Sequence, residues 1–177
     1  IINATLSNPI AWFKDGKHVL AKFRTKNSAK LINSEDIIPQ GPRISTNDGK
    51  KAQNRTYQDL LKNRTDERNF EILTESEIFK ISLKGKAKLI MEKNHYDGIT
   101  FSPNGKYILI STIKRPYSYI VPYYRFPMDY TIYSSKGAKI KTLYNVPLTE
   151  DLPKGFMSVR KGPRSFTWRS DKPETII

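Results

Sequence analysis

The sequence contains no cysteine among its 177 residues. Disulfide bonds, cysteine nucleophiles and cysteine metal ligands are therefore excluded. Histidine is nearly as scarce, since only His18 and His95 occur, and neither has a second metal-binding residue four positions away. We expect both to lie in packing or surface positions rather than to bind a metal. No apolar run reaches the roughly 18 residues that a membrane-spanning helix requires, so the sequence predicts no membrane insertion.

Motifs that mark common catalytic centres are also missing. There is no Gly-x-Ser-x-Gly nucleophile elbow and no glycine-rich phosphate loop. We therefore predict no catalytic residue, no cofactor and no metal site in this chain. Its function is expected to depend on binding surfaces rather than on chemistry of its own.

One charge sign dominates, because the formal net charge is +14. A basic chain suggests a nucleic-acid partner. However, no run of Lys or Arg exceeds two residues, and residues 25–76 are nearly balanced with nine basic and eight acidic side chains. We therefore predict no nucleic-acid partner, although binding to a nucleic acid or other polyanion is kept as the weakest alternative. Residues 115–164 hold nine basic and three acidic side chains, which suits an acidic ligand or simply solubilises the surface.

A hairpin pattern is present three times. It reads IAWFKDGKHVLAK around Trp12, ITFSPNGKYILIS around Phe101 and SFTWRSDKPETII around Trp168. An Asp-Gly or Asn-Gly pair between apolar runs predicts a tight two-residue turn between antiparallel strands. A recurring hairpin is typical of repeat architectures, and among β repeats it is typical of propeller blades.

A second hairpin follows each of the first two, with turns at Lys84-Gly85 and Lys136-Gly137. Two hairpins make one four-stranded blade. The predicted fold is all-β: an incomplete β-propeller of about two and a half four-stranded antiparallel blades, with one helix-containing insertion. The predicted boundaries are 9–24 plus 77–93 for blade one, 99–145 for blade two and 164–177 for the start of blade three.

This number of blades cannot close a ring, because propellers use about 4–8 blades. The chain also begins at Ile1 and stops inside a strand pattern. We therefore expect residues 1–177 to be a fragment of one propeller domain in a longer polypeptide.

Three insertions interrupt the predicted blades. Residues 25–76 and 115–127 lie between the second and third strands of their blades, and residues 146–163 link two blades. In an up-and-down blade these connections emerge on one face, so we expect a shared docking or binding surface there. Tolerated surface decoration is the alternative. In the first insertion, Thr56-Tyr-Gln-Asp59 matches a capping box and predicts a helix from Thr56 toward Asn63.

Several stretches resemble one family of proteins. STIKRPYSYIVPYYRFP (111–127), VPLTEDLP (146–153) and VRKGPRSFTWRSDKPET (159–175) are similar to the N-terminal propeller of the glutamyl endopeptidase branch of the prolyl oligopeptidase serine peptidases. RTYQDLLKNRTDERNFEILTES (55–76) resembles the helical insertion of that family. The branch includes a plant chloroplast peptidase and exported bacterial relatives often called dipeptidyl aminopeptidases. Asn63-Arg64-Thr65 departs from the pattern, which has a proline after Lys-Asn.

The resemblance implies a parent protein in which the propeller precedes an α/β-hydrolase domain that carries the catalytic triad. It implies peptide substrates, and for an exported bacterial relative a periplasmic or secreted location. The branch favours cleavage after glutamate, whose carboxylate calls for a cation, preferably a bidentate arginine. The candidate substrate-binding or domain-interface residues are Arg115, Tyr117, Arg125, Arg160 and Arg164. A free-standing propeller that binds partners without enzymatic activity is the alternative function.

Overall fold

The computed structural model describes residues 1–33, 57–153 and 158–177. Its strands form two four-stranded antiparallel sheets, in each of which spatial order follows chain order. The first sheet consists of β1 (Ile10–Trp12), β2 (His18–Phe23), β3 (Ser76–Ser82) and β4 (Ala87–Asn94). The second consists of β5 (Tyr96–Phe101), β6 (Tyr107–Ile113), β7 (Met128–Ser134) and β8 (Lys139–Val146). The all-β class is confirmed, and the arrangement is that of a partial, propeller-like fold.

The hairpin turns depend on their Asp-Gly and Asn-Gly pairs. Gly16 and Gly105 have φ of 63° and 75°, the left-handed region that glycine enters without strain. The Asp15 carboxylate accepts the backbone N–H groups of Lys17 and His18 at 2.8 and 3.1 Å. The predicted two-residue turn is wrong in length, because β1 ends at Trp12 and β2 begins only at His18. These side-chain hydrogen bonds stabilise a longer, aspartate-capped turn.

The third hairpin packs against the second sheet. Thr167 and Ile177 exchange two backbone hydrogen bonds of 3.0 Å, and Trp168 bridges to Ile176. The Trp168 indole N–H donates to the Thr100 carbonyl at 3.3 Å. This hairpin therefore contacts β5 of the second sheet.

A hydrophobic cluster joins the two sheets. Leu20, Ile78, Ile108 and Ile110 have no exposed surface, and the Phe13 ring packs with them. Burying one such aliphatic side chain contributes about 1.5–3 kcal/mol. These residues alternate along their strands with residues of the opposite face, so the strand periodicity itself brings the two sheets together.

A lysine lies in the same interface. Lys22 is 1% exposed, and its ammonium donates to the carbonyls of Leu6, Tyr96 and Asp97, the last two at 3.2 and 3.0 Å. Burial lowers the pKa of Lys22 to about 8, although the nearby Asp97 opposes the shift. Burial likewise raises the pKa of Asp97. Lys22 therefore ties β2 to the start of β5 and to the N-terminal segment.

The helix lies between β2 and β3 but begins later than predicted. It is α1 (Arg64–Thr74), and the Asn63 side chain caps it by accepting the Asp66 N–H at 2.8 Å. The Asp66 carboxylate in turn accepts the Lys62 N–H at 2.7 Å. The predicted helix toward Asn63 is wrong, because residues 57–62 are not helical; Thr56 itself lies outside the described residues. The side chains of Asn63 and Asp66 each accept a backbone N–H group here, and together they stabilise the start of the helix.

The only other helical element in the described ranges is a short 3-10 helix, Tyr123–Arg125. Within the same ranges, no helix is long and apolar enough to cross a membrane.

Replacing Ile78 by Ala is expected to lower the free energy of unfolding by about 2–5 kcal/mol, because the lost methyl groups leave a cavity in the sheet interface. Urea unfolding of the chain measures this loss. Ile140→Ala is the matched control, since Ile140 is 52% exposed and should change stability little. Equal losses in both variants would show that the interface is not tightly packed.

Lys22 should make stability depend on pH. Between its folded pKa of about 8 and its ordinary value of 10.5, the unfolded chain binds a proton that the folded chain lacks. The free energy of unfolding should therefore rise with pH across this window, by about 3 kcal/mol at most. Comparing urea unfolding of the wild type and Lys22→Met at each pH isolates this rise. An identical pH slope in the two proteins would contradict it, and Lys84→Met should behave as the wild type does.

Candidate functional site

The described parts of the three insertions meet at one end of the two sheets, as the connection pattern predicted. The Phe70 ring of α1 packs edge-on against Tyr117 and Phe126 of the second insertion, with ring centroids 5.2 and 5.8 Å apart. The backbone N–H of Thr149, in the third insertion, donates to the Arg125 carbonyl at 3.0 Å. Side chains from separate parts of the sequence are thereby gathered into one surface, here called the loop-end surface.

Arg115 forms ion pairs with two carboxylates of helix α1. Its guanidinium donates to the carboxylates of Glu67 and Glu71 at 2.7 and 2.8 Å. The Tyr117 hydroxyl donates to Glu71 at 3.1 Å, and the Tyr119 hydroxyl donates to Glu67 at 2.6 Å. Two carboxylates one helical turn apart are therefore held by one arginine and two tyrosines of the second insertion.

Each charged group in this cluster has a partner of opposite charge. The Tyr119 hydrogen bond, with Arg115, lowers the pKa of Glu67. Burial opposes ionisation of Glu71, but hydrogen bonds from Arg115 and Tyr117 outweigh it and lower that pKa too. The same carboxylates raise the pKa of Arg115, and burial raises that of Tyr117. In this structure Arg115 and Tyr117 dock the helix, and neither lines the cavity formed by the other candidates.

The other three candidates line one cavity. It has a volume of about 280 Å³ and lies between the second sheet and the second and third insertions. Arg125, Arg160 and Arg164 are in its wall, and none of the described lining residues is acidic. The remaining wall is formed by Tyr124, Phe126, Met128, Tyr130, Val146, Thr149, Leu152, Ser158, Val159 and Ser165.

Rings and backbone carbonyls position the three guanidinium groups. Arg160 donates to the carbonyls of Lys161, at 2.7 Å, and of Pro163. Arg164 donates to the Arg160 carbonyl at 3.3 Å. The Arg125 guanidinium lies 5.1 Å from the centre of the Tyr57 ring. Arginine donors that face carbonyls and rings keep their full positive charge, so the cavity suits an anion such as a carboxylate.

The loop-end surface also carries exposed apolar side chains, of which Tyr124 and Val159 line the cavity. Ile120 and Tyr124 are each 60% exposed, and Val159 is 50% exposed. Aromatic residues and arginine together are typical of the centre of protein interfaces. The loop-end surface therefore has the composition of a docking face as well as a cationic cavity.

The two histidines occupy structural positions. His18 Nδ1 lies 2.7 Å from the Asp15 carboxylate, and His95 Nδ1 lies 2.9 Å from the Thr74 hydroxyl. Burial lowers the pKa of His95. Across the described residues, no group of His, Asp and Glu side chains is arranged to hold a metal ion.

Sequence reasoning missed the acidic partners of Arg115. Glu67 and Glu71 are four positions apart, which places both on one face of a helix, and this spacing was the available signal. The cavity residues Thr149, Ser158 and Ser165 were also missed, because their grouping depends on how the third insertion folds back over β8.

Comparison with known proteins gives two clear similarities. The chain is 44% identical over 140 residues to a rice protein (Oryza sativa subsp. japonica) named probable glutamyl endopeptidase, chloroplastic. This match covers 78% of the chain and 15% of the relative. It is 40% identical over 202 aligned residues to an Arabidopsis thaliana protein of the same name. This second match covers 98% of the chain and 21% of the relative. The chain is thus peptidase-related.

The chain spans about a fifth or less of the length of these curated relatives. No family model matches it. No solved structure matches it either.

Replacing Arg115 by Ala should loosen the helix from the second insertion. Because Arg115 is half exposed, we expect a loss of roughly 1 kcal/mol, seen as about fivefold faster amide hydrogen exchange in α1. Arg68→Ala is the control, because Arg68 is exposed on the same helix and has no ion pair to Glu67 or Glu71 in the described structure. Unchanged exchange in Arg115→Ala would show that the aromatic contacts alone hold the helix.

Proposed function

We propose that this chain is a non-catalytic part of the β-propeller of a serine peptidase of the prolyl oligopeptidase type, in its glutamyl endopeptidase branch. The observation that carries the proposal is the 40% identity, over 98% of the chain, to a protein named probable glutamyl endopeptidase. The two up-and-down antiparallel sheets are compatible with propeller blades. In this proposal the active site belongs to an α/β-hydrolase domain elsewhere in the full-length protein.

The apolar outer face of the first sheet is consistent with a further blade packed against it. Trp12, Val19 and Phe79 lie on the face turned away from the second sheet, and Trp12 is 59% exposed. A sheet that is apolar on both faces is suited to burial between two neighbours. The third hairpin contacts β5 of the second sheet, which is compatible with a further blade on that side as well.

The proposed role of the loop-end surface is to meet the hydrolase domain and control access of peptides to it. Its exposed Ile120 and Tyr124 suit a domain contact, and its insertions would border the path of a substrate. Arg125, Arg160 and Arg164 would bind an acidic side chain of the peptide or an acidic group of the facing domain. A guanidinium is well suited to this because its planar N–H fork matches a carboxylate.

The test uses the full-length protein and matched peptides with Glu or Gln at the cleavage position. Changing Arg125, Arg160 and Arg164 singly to Gln should lower kcat/KM for the Glu peptide about tenfold or more for at least one of them, which corresponds to about 1.4 kcal/mol. The Gln peptide should be cleaved as before. Arg169→Gln is the control, because Arg169 pairs with Asp171 outside the cavity.

Two results would count against the proposal in different ways. If all three variants cleave the Glu peptide normally, the cavity does not bind substrate, and the role of its arginines in the domain interface is then tested by domain association. If the full-length protein cleaves no peptide and does not react with a fluorophosphonate probe, the peptidase assignment is wrong. A free-standing binding propeller would then be the better description.

A further inference from the structure

A second cationic site lies at the opposite end of the sheets from the insertions. It is a groove of about 410 Å³ between the first sheet and the turn that joins β7 to β8. Its lining residues are His18, Lys80, Ser82, Lys86, Lys88, Ile90, Ser135 and Lys136. Four of these are lysines and none is acidic. This lysine groove shares no residue with the cavity of the loop-end surface.

The wall formed by the β7–β8 turn is held firmly in place. Gly137 has φ of 91°, and a Cβ there would lie 2.5 Å from Ile90 Cγ2 and 2.8 Å from the Ile90 carbonyl oxygen. No larger residue fits without moving β4 or the turn. The neighbouring Lys136 is therefore kept beside the lysines of β3 and β4.

The charges in the groove repel one another. Lys80 and Lys88 are directly opposed on adjacent strands, a pairing of like charges that destabilises a sheet. The Lys80 ammonium lies 4.3 Å from the centre of the Phe13 ring, which fixes its position without neutralising it. The nearby carboxylate of Asp15 is bound to His18. Folding thus assembles several positive charges that a bound anion would compensate.

We propose that the lysine groove binds an oligophosphate, either free or as the phosphate chain of a nucleotide. Lysine acts on phosphate as a compact point charge, and the groove contains no arginine fork for planar recognition of a single carboxylate. A triphosphate concentrates about as many negative charges as the groove has lysines. The carboxylates on one side of an extended acidic peptide are about 7 Å apart, so a site of this size would meet few of them.

The groove also has neutral hydrogen-bond donors for such a ligand. The hydroxyls of Ser82 and Ser135 lie in its wall between the lysines. Ser82 Oγ accepts the Lys86 backbone N–H at 3.1 Å, an interaction that leaves the hydroxyl proton for a phosphate oxygen. Ile90 supplies an apolar patch against which a nucleoside could lie.

The experiment measures binding to the full-length protein by calorimetry at low and at physiological salt. The probes are tripolyphosphate, ATP and a tetraglutamate peptide. We expect tripolyphosphate to bind, and its affinity to fall steeply with salt. The variant Lys86→Gln/Lys88→Gln/Lys136→Gln should weaken binding at least tenfold. Lys80 is left unchanged because it packs on Phe13.

Two controls locate the site. Lys84→Gln changes a lysine of the same β3–β4 turn that does not line the groove, and Arg160→Gln changes the other cationic cavity; both should bind tripolyphosphate as the wild type does. Comparable loss in either control, or unchanged binding in the triple variant, would overturn the proposal. Tighter binding of tetraglutamate than of tripolyphosphate would also overturn it, in favour of an acidic-peptide site.

Comparison of the two phosphate probes distinguishes the possible sources. Equal affinity for ATP and tripolyphosphate would show that the groove recognises the phosphate chain alone. Tighter binding of ATP would show that the nucleoside contributes, and Ile90→Ala should then remove the difference. Either result supports the proposal, and neither depends on peptidase activity.

Discussion

The face-to-face packing of the two sheets determines where the other parts of the molecule lie. Leu20, Ile78, Ile108 and Ile110 are fully buried between them, and Lys22 joins the sheets through backbone carbonyls of β5. Because β4 leads directly into β5 at one end, the connections between second and third strands emerge from both sheets at that same end. The short hairpin turns are consequently left at the opposite end. Long insertions and short turns are thus separated by the topology, and each end has its own cationic site.

The arginines of the loop-end surface show how context decides what a charged residue does. Arg115 and Arg125 belong to the same insertion, but Arg115 faces two carboxylates and Arg125 faces the Tyr57 ring. A guanidinium bound to two carboxylates has little attraction left for a ligand anion, whereas one that lies against a ring retains it. Arg115 is therefore paired with the helix, whereas Arg125, Arg160 and Arg164 line the cavity.

Local patterns and distant contacts differed in how well they could be predicted. The two sheets followed from alternating apolar residues and from Asp-Gly, Asn-Gly and Lys-Gly turns, since these signals act over a few residues. The start of the helix could not be predicted from such signals. Both Thr56 and Asn63 precede a carboxylate by three residues, so both satisfy the same capping pattern. The division of the five candidate site residues was also beyond local reasoning. Arg115 meets Glu71 across 44 residues of sequence, and only the folded chain brings them together.

The two cationic sites hold more positive charge than the described residues that line them neutralise. A directly opposed pair of like charges in a sheet costs about 0.2–1 kcal/mol, whereas one buried isoleucine contributes about 1.5–3 kcal/mol. The sheet interface can therefore offset the repulsion between Lys80 and Lys88. Carbonyl and ring contacts hold the three arginines in place. Positive charges that line two cavities without facing a carboxylate there are what the two proposed anion sites require. The different side chains then indicate different anions: planar guanidinium groups for a carboxylate, and compact ammonium groups for a dense phosphate chain.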